Sequence, residues 1–253
     1  MSPPPTPPPQ HSPAATDRTE EWFVPKRGPR RFRVLIGLLF LPYTGMVLAF
    51  TVLGAMLAPA VDWERVGALL VIYALALGVG AHALDALGSA NKPWGTVFSA
   101  RSLKAIAATA LVASYGIGAW YMQRYAPWLW PVAIAEGFFV LAYNLEWFGG
   151  RFHTDAWFAL SWGALPALAG YILQTNQIAL SALVLAGATA ALSLVEIKAS
   201  RPYKAMKAAA RLGHASDPAA VGRLEAILKS VSVGTILLGI AAALARWEAS
   251  GMR

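Results

Sequence analysis

The chain has 253 residues, of which 57% are hydrophobic and only 13% are charged, and its mean hydropathy is +0.50. An ordinary soluble domain carries about 25% charged residues, so this composition indicates a membrane protein. The sequence contains no cysteine, which excludes disulfides, thiolate nucleophiles, iron–sulfur clusters and cysteine-bound zinc.

The first segment of the chain is rich in proline, with nine of the 17 prolines in the first 29 residues. It has no apolar period, so residues 1–30 are predicted to form a disordered Pro-rich tail. The segment is too long and too polar for the start of a cleaved signal peptide, so we expect the first apolar helix to be retained. Residues 31–250 are then predicted to form one transmembrane helical domain.

Seven apolar runs of about 20 residues follow, the length that crosses a hydrocarbon core of about 30 Å as a helix. They cover residues 34–58, 65–87, 102–123, 127–147, 155–174, 178–196 and 227–247. The sequence lacks the period-2 alternation of a membrane barrel. The predicted fold is therefore all-α, a polytopic membrane helix bundle of about seven transmembrane helices. A basic amphipathic helix near 201–225 is predicted to lie at the membrane surface.

Lysine and arginine are distributed unevenly between the two sides of this predicted bundle. Counted by connection, 17 fall on the side of the N-terminus and four on the opposite side. The positive-inside rule then predicts a multi-pass protein of the cytoplasmic (inner) membrane with its N-terminus in the cytoplasm. The net charge of +8 is therefore a signal of topology, and no nucleic-acid partner is expected.

Acidic residues are rare, and those at predicted helix ends fall on the cytoplasmic face. They are Asp85, Glu146, Asp155 and Glu196, whereas Glu136 lies in the middle of a predicted helix. Each acid at a helix end alone is explained by solvation or by an ion pair with a nearby cation. Four acids from three connections on one face favour a shared site.

Polar and basic residues accompany these acids in the same connections. The candidate ligand contacts are Asn91, Lys92, Arg101, Asn144, Arg151, Lys198, Arg201 and Tyr203. Such a mixture suits a diphosphate, whose oxygens bind cations directly and bind carboxylates through bridging Mg²⁺. Anionic lipid head groups explain the cations equally well.

In these connections the chain resembles the UbiA-type superfamily of intramembrane prenyltransferases. The similar segments are NKPW at 91–94, SAR at 99–101, LKA at 103–105 and WGALPALAGY at 162–171. The resemblance implies helices around a central cavity, and transfer of a polyprenyl group from its diphosphate to a lipophilic acceptor at the cytoplasmic face. It also implies that Asp85 and Glu196 are catalytic and hold Mg²⁺. The chain departs from the family's first acidic motif at His82 and Ser89, and the family's last two helices have no counterpart.

Two other functions stay open. The first is a non-catalytic accessory protein that binds an isoprenoid, a quinone or a pigment, within a larger membrane-protein complex. The second is a membrane protein with a transition-metal site, since imidazole and carboxylate together suit zinc, iron or manganese. The candidate ligands of that site are His82, Asp85, Glu146, His153 and Asp155.

Overall fold

The computed structural model describes residues 18–89, 94 and 97–251, and in these ranges all regular secondary structure is helical. The helices are α1 (Arg30–Leu38), α2 (Leu41–Met56), α3 (Trp63–Gly88), α4 (Ala100–Arg124), α5 (Trp130–Asn144), α6 (Asp155–Thr175), α7 (Leu180–Arg211) and α8 (Pro218–Ala249). Two of them change to π-helical geometry along their length, α3 at Ala74–Ala81 and α6 at Leu160–Ala164. The prediction of a helical membrane bundle is thus confirmed.

Six stretches of these described helices are long and apolar enough to cross a membrane. Helices α1 and α2 together form the first, and α3, α4, α6, α7 and α8 form the others. The fourth predicted run, 127–147, is the exception, because α5 has only 15 residues. At 1.5 Å per residue α5 is about 22 Å long. A 3-10 turn at Pro127–Leu129 precedes it and shortens the helical part of the run.

Helix α2 lies at the centre of the bundle, between α6 on one side and α8 on the other. Two glycines allow the close contact with α6. A Cβ atom added to Gly170 would overlap the carbonyl oxygen of Thr51, and one added to Gly54 would overlap that of Ala167. Small residues at helix contacts matter in a bilayer, since lipid tails leave packing rather than hydrophobic burial to hold helices together.

The basic segment near 201–225 does not form the separate surface helix that the sequence predicts. Helix α7 continues through Pro202 to Arg211, and α8 begins at Pro218. Alanine-rich sequence extends α7 beyond its apolar run, since alanine is the best helix former. The Asp217 side chain then accepts a hydrogen bond from the backbone of Ala219 and caps α8. The basic residues therefore lie on the ends of two long helices.

The prediction of a disordered tail over residues 1–30 is wrong for its last part. Residues 1–17 lie outside the described ranges, but residues 18–29, here called the strap, pack on the bundle. Val24 and Glu21 of the strap are buried, and Trp22 packs against α7 and α8. Arg33 of α1 fixes the strap by donating hydrogen bonds to the carbonyl oxygens of Pro25 and Thr19. A few apolar and charged residues after the prolines are enough to order this part of the tail.

Candidate functional site

A cavity of about 380 Å³ lies where the strap, the α1–α2 junction, the ends of α3 and α5, the start of α6 and the last part of α7 meet. This end of the bundle is called the polar end. The polar and aromatic residues that line the cavity are Arg18, Phe40, Tyr43, His82, Asp85, Trp94, Tyr143, Asn144, His153, Phe158, Trp162, Arg201 and Lys204. The cavity is thus charged around its mouth and aromatic in its interior.

Phe40 organises the mouth of the cavity. It separates α1 from α2 in a left-handed conformation with φ of 41°, which is uncommon for a bulky residue. The break places the Phe40 ring between two cations. The Arg18 guanidinium and the Lys204 ammonium each lie 5.5 Å from its centre. Both distances fall within the range of cation–π attraction, so one ring supports two positive charges.

Trp94 closes the cavity from the connection after α3. Its ring packs directly on Gly37 of α1, where an added Cβ would overlap the ring. The Arg18 guanidinium lies 5.2 Å from the Trp94 ring. Gly37 therefore determines how deeply Trp94 sits, and Trp94 helps to position Arg18.

Three cations and the carboxylate of Asp85 line the cavity, and the buried Glu196 lies outside its lining. Arg18 and Lys204 interact electrostatically with Asp85 and with the buried Glu196, and Arg201 is the third cation. Burial lowers the pKa of the Arg18 guanidinium below its usual value, and the charges of Glu21 and Asp85 oppose this effect. Among the described residues the Arg18 Nε has no hydrogen-bond partner. An anion that enters the cavity thus meets a desolvated cation with an unused donor.

The interior of the cavity is aromatic. Tyr43 stacks on Phe158 with ring centres 4.9 Å apart, and Phe158 also contacts Tyr143 at 5.8 Å. The Tyr43 hydroxyl is buried beside the Ser193 hydroxyl. This surface suits an apolar or unsaturated chain.

The five candidate ligands of a transition metal do not come together. His82 and His153 both line the cavity, and their Nδ1 atoms lie 3.3 Å from the carbonyl oxygen of Gly78 and 3.0 Å from that of Tyr143, contacts that metal-binding histidines also make. Asp155 instead pairs with Arg201 at 3.0 Å and Lys198 at 3.7 Å, and Glu146 is exposed. Across the described ranges no three His, Asp or Glu side chains form a metal-binding group.

The predicted Mg²⁺ ligands, Asp85 and Glu196, both interact with fixed cations of the protein. Both carboxylates act on Lys204, and Arg18 acts on both as well. Mg²⁺ is usually held by one or two carboxylates together with substrate phosphates. Asp85 and Glu196 therefore remain a prediction as Mg²⁺ ligands, with the oxygens of a bound phosphate completing the site.

The predicted ligand contacts divide into three groups. Asn144 and Arg201 line the cavity; the Asn144 amide donates to the carbonyl of Val140 at 2.8 Å, so its own oxygen is left for a ligand. The contacts that lie elsewhere are Arg101 and Arg151, which are exposed, Lys198, which pairs with Asp155, and Tyr203, which bonds to Glu21 of the strap. Asn91 and Lys92 lie outside the described residues.

Two cations of the cavity were not among the predicted contacts. Lys204 lies eight residues after Glu196, and this spacing puts the two on one face of a helix, which was a usable signal. Arg18 had no such signal, because it follows a Pro-rich segment that has no period. Comparison of the chain with protein-family models, curated proteins and solved structures found no match.

Proposed function

We propose that the cavity at the polar end binds a polyprenyl diphosphate. The observation that supports this proposal is the convergence of Arg18, Lys204 and Arg201 on the mouth of an aromatic cavity. Phosphate oxygens form strong charge-assisted hydrogen bonds with such cations. The isoprenoid chain would lie on the rings of Tyr43 and Phe158. A ligand with a doubly charged head and an unsaturated tail uses both halves of this cavity.

In this proposal the protein lies in the cytoplasmic (inner) membrane with its N-terminus and the polar end in the cytoplasm. The excess of lysine and arginine on this side supports that orientation. Helix α5 counts as a seventh, short span in the proposal, because it runs between the same two ends as its neighbours. The turn before α5 bonds to Asn176 through the Trp128 amide, and Asn144 at the other end of α5 lines the cavity.

The resemblance to intramembrane prenyltransferases suggests the reaction. The bond between the allylic carbon and the diphosphate oxygen breaks, and the diphosphate leaves with the bonding electrons. Arg18 and Lys204 would stabilise the charge on the leaving group, and the aromatic rings would stabilise the allylic cation. A lipophilic acceptor then bonds to the allylic carbon and gives up a proton, which the departing diphosphate can take. In this proposal Arg18 and Lys204 stabilise the negative charge of the leaving diphosphate, which is the role of Mg²⁺ in the family.

The reaction is tested by incubating purified protein in lipid nanodiscs with radiolabelled geranylgeranyl diphosphate and an extract of membrane lipids. Release of diphosphate together with a new labelled lipid supports transfer. A Lys204→Gln variant should lose both products, whereas Lys198→Gln should retain them, because Lys198 is 68% exposed and outside the cavity.

A second candidate function is binding without transfer. The interaction of Arg18 and Lys204 with Asp85 and Glu196 favours it, since cations that already have carboxylate partners stabilise a leaving diphosphate less. This accessory protein would hold an isoprenoid, quinone or pigment for a larger membrane complex. Tight binding of the diphosphate with no labelled product would support this function instead.

A further inference from the structure

Glu136 is an acid in apolar surroundings, away from the polar end. It lies near the middle of α5 and lines a second cavity of about 60 Å³. The cavity is enclosed by α3, α4, α5 and α6, and most of its other lining residues are apolar. The hydroxyl-bearing neighbours that interact with the Glu136 carboxyl are Tyr73 and Tyr115, and no lysine or arginine of the described residues lines this cavity. An acid without a cation in such a place is costly, and acids of this kind usually have a function.

One of the two Glu136 carboxyl oxygens is available to a ligand. Tyr73 donates its hydroxyl hydrogen to Oε1 of Glu136. Tyr115 lines the same cavity, but its hydroxyl donates to the backbone carbonyl of Ala133 at 2.8 Å. Within the described part of the chain Oε2 therefore has no hydrogen bond, although a carboxyl oxygen accepts strongly. A donor from a bound molecule would complete this arrangement.

The small cavity adjoins the bilayer through a groove between α4 and α5. The groove has a volume of about 310 Å³ and shares Tyr115, Ala133 and Val140 with the small cavity. Ile134, on its rim, is 67% exposed, as expected for a residue that faces lipid. The Tyr115 side chain lines both the groove and the small cavity that holds Glu136.

The position of Tyr115 depends on the lack of a side chain at Gly137. A Cβ atom added to Gly137 would overlap the Tyr115 hydroxyl oxygen and lie 3.1 Å from its ring. The absence of a side chain at residue 137 therefore makes room for the tip of Tyr115. On the far side of the small cavity, Leu77 and Trp162 form a wall shared with the cavity at the polar end.

We propose that Glu136 and Tyr73 form a second binding site, for the hydroxyl group of an uncharged lipid alcohol that enters from the bilayer past Tyr115. A carboxylate oxygen accepts a hydrogen bond and a protonated carboxyl also donates one, so a hydroxyl group, which can do both, matches Glu136 in either state. The hydrocarbon route requires a neutral ligand, which excludes an ammonium group. A cavity of about 60 Å³ accommodates a few atoms, so the head is small and the chain occupies the groove. If the proposed prenyl transfer is correct, this site would bind a hydroxyl acceptor before the transfer. That assignment rests on the proposed function.

The test uses a photoreactive probe, hexadecanol with a diazirine at mid-chain, on the protein in lipid nanodiscs. Labelled peptides are located by mass spectrometry. We expect saturable labelling of α4 and α5, and competition by unlabelled hexadecanol that is about tenfold stronger than by its methyl ether, as one neutral hydrogen bond allows. A phenol with the same hydrocarbon chain is a further competitor. We expect it to displace the probe less well than hexadecanol, because its ring is larger than an alcohol head group. Equal competition by the alcohol and the ether overturns the proposal.

Variants locate the site. Glu136→Leu should weaken labelling about tenfold, and Glu136→Met, which also lacks the carboxyl, serves if the leucine variant is unstable. Glu64→Leu is a matched control, because Tyr121 bonds to exposed Glu64 at 2.8 Å in a similar pair outside both cavities. An equal loss in the Glu64 and Glu136 variants would contradict a site at Glu136.

The entrance is tested separately from the site. Gly137→Ala should displace Tyr115 and change the rate of labelling, whereas Gly116→Ala should not, because nothing lies within 4 Å of a Cβ at residue 116. Equal rates in the two alanine variants would overturn the route past Tyr115. Variants at Glu136 should leave diphosphate binding at Arg18 and Lys204 intact, so a failure of this inference is distinguishable from a failure of the proposed function.

Discussion

Glu21 and Tyr203 are separated by 182 positions in the sequence, and the Tyr203 hydroxyl donates a hydrogen bond of 2.9 Å to the Glu21 carboxylate. Lys207 and Arg211 pair with the same carboxylate at 2.9 and 3.5 Å. Glu21 is only 1% exposed. This cluster fixes the strap to α7, and it thereby holds Arg18 at the mouth of the cavity.

Replacing Glu21 by glutamine should loosen the strap, because it leaves Lys207 and Arg211 without their anion. Loss of one partner of a fully buried pair costs about 3–5 kcal/mol. We expect less here, since both cation side chains are 21% exposed. Tryptic cleavage after Lys26 and Arg27 should become about tenfold faster, which corresponds to about 1.4 kcal/mol. Unchanged cleavage would show that the strap is held by other contacts.

Glu20→Gln is the control variant for the Glu21 experiment. The contribution of Glu20 to stability also depends on pH. The hydrogen bond from Arg33 and the charge of Lys26 hold the pKa of the Glu20 carboxyl below its usual 4.5. A lowered pKa stabilises the fold at pH values above 4.5, and this contribution is lost as the pH falls through the folded pKa. Glu20→Gln should therefore have a small effect on thermal unfolding at pH 7, because the pair is exposed. The difference from wild type should disappear as the pH falls through the folded pKa of Glu20, and a difference that grows with acidification would contradict this pairing.

The contact between α2 and α6 should not tolerate a methyl group. Gly170→Ala places a Cβ against the backbone of Thr51, which cannot rotate away as a side chain can. We expect a loss of stability of about 1–3 kcal/mol from overpacking, measured by thermal unfolding in detergent. Gly187→Ala is the matched control, because a Cβ there meets nothing within 4 Å. It should be neutral or slightly stabilising, since alanine favours a helix.

The absence of cysteine from the sequence makes topology simple to measure. Single cysteines at Ala215, in the α7–α8 turn, and at Ser250, after α8, should be accessible from opposite sides of the membrane. Labelling of intact cells with a membrane-impermeant maleimide should reach Ser250→Cys but not Ala215→Cys. Labelling of Ala215→Cys alone would reverse the orientation, and labelling of neither would place both ends of α8 inside.

The sequence was sufficient to predict the helical membrane fold, because apolar runs of about 20 residues have few other solutions. It did not show that α7 would extend to Arg211 or that Phe40 would break the first span. Those features depend on contacts between distant segments, such as the two cations at the Phe40 ring. Periodicity within one run carries no information about them.

The candidate site was predictable only in part, for a similar reason. Asp85, Asn144 and Arg201 come together because three connections meet at one end of the bundle. Arg18 and Trp94 reach the same place through packing on Phe40 and Gly37, for which the sequence has no local signal.

The central claim is that fixed cations bind a diphosphate at the polar end. The most direct measurement is titration of geranylgeranyl diphosphate into the purified protein in EDTA and again in Mg²⁺, for wild type, Lys204→Gln and Lys198→Gln. The account predicts binding in EDTA that Lys204→Gln weakens at least about tenfold, as expected for a charged hydrogen bond worth about 1.5–3 kcal/mol, and that Lys198→Gln leaves unchanged. Binding that requires Mg²⁺, or equal losses in the two lysine variants, would contradict it.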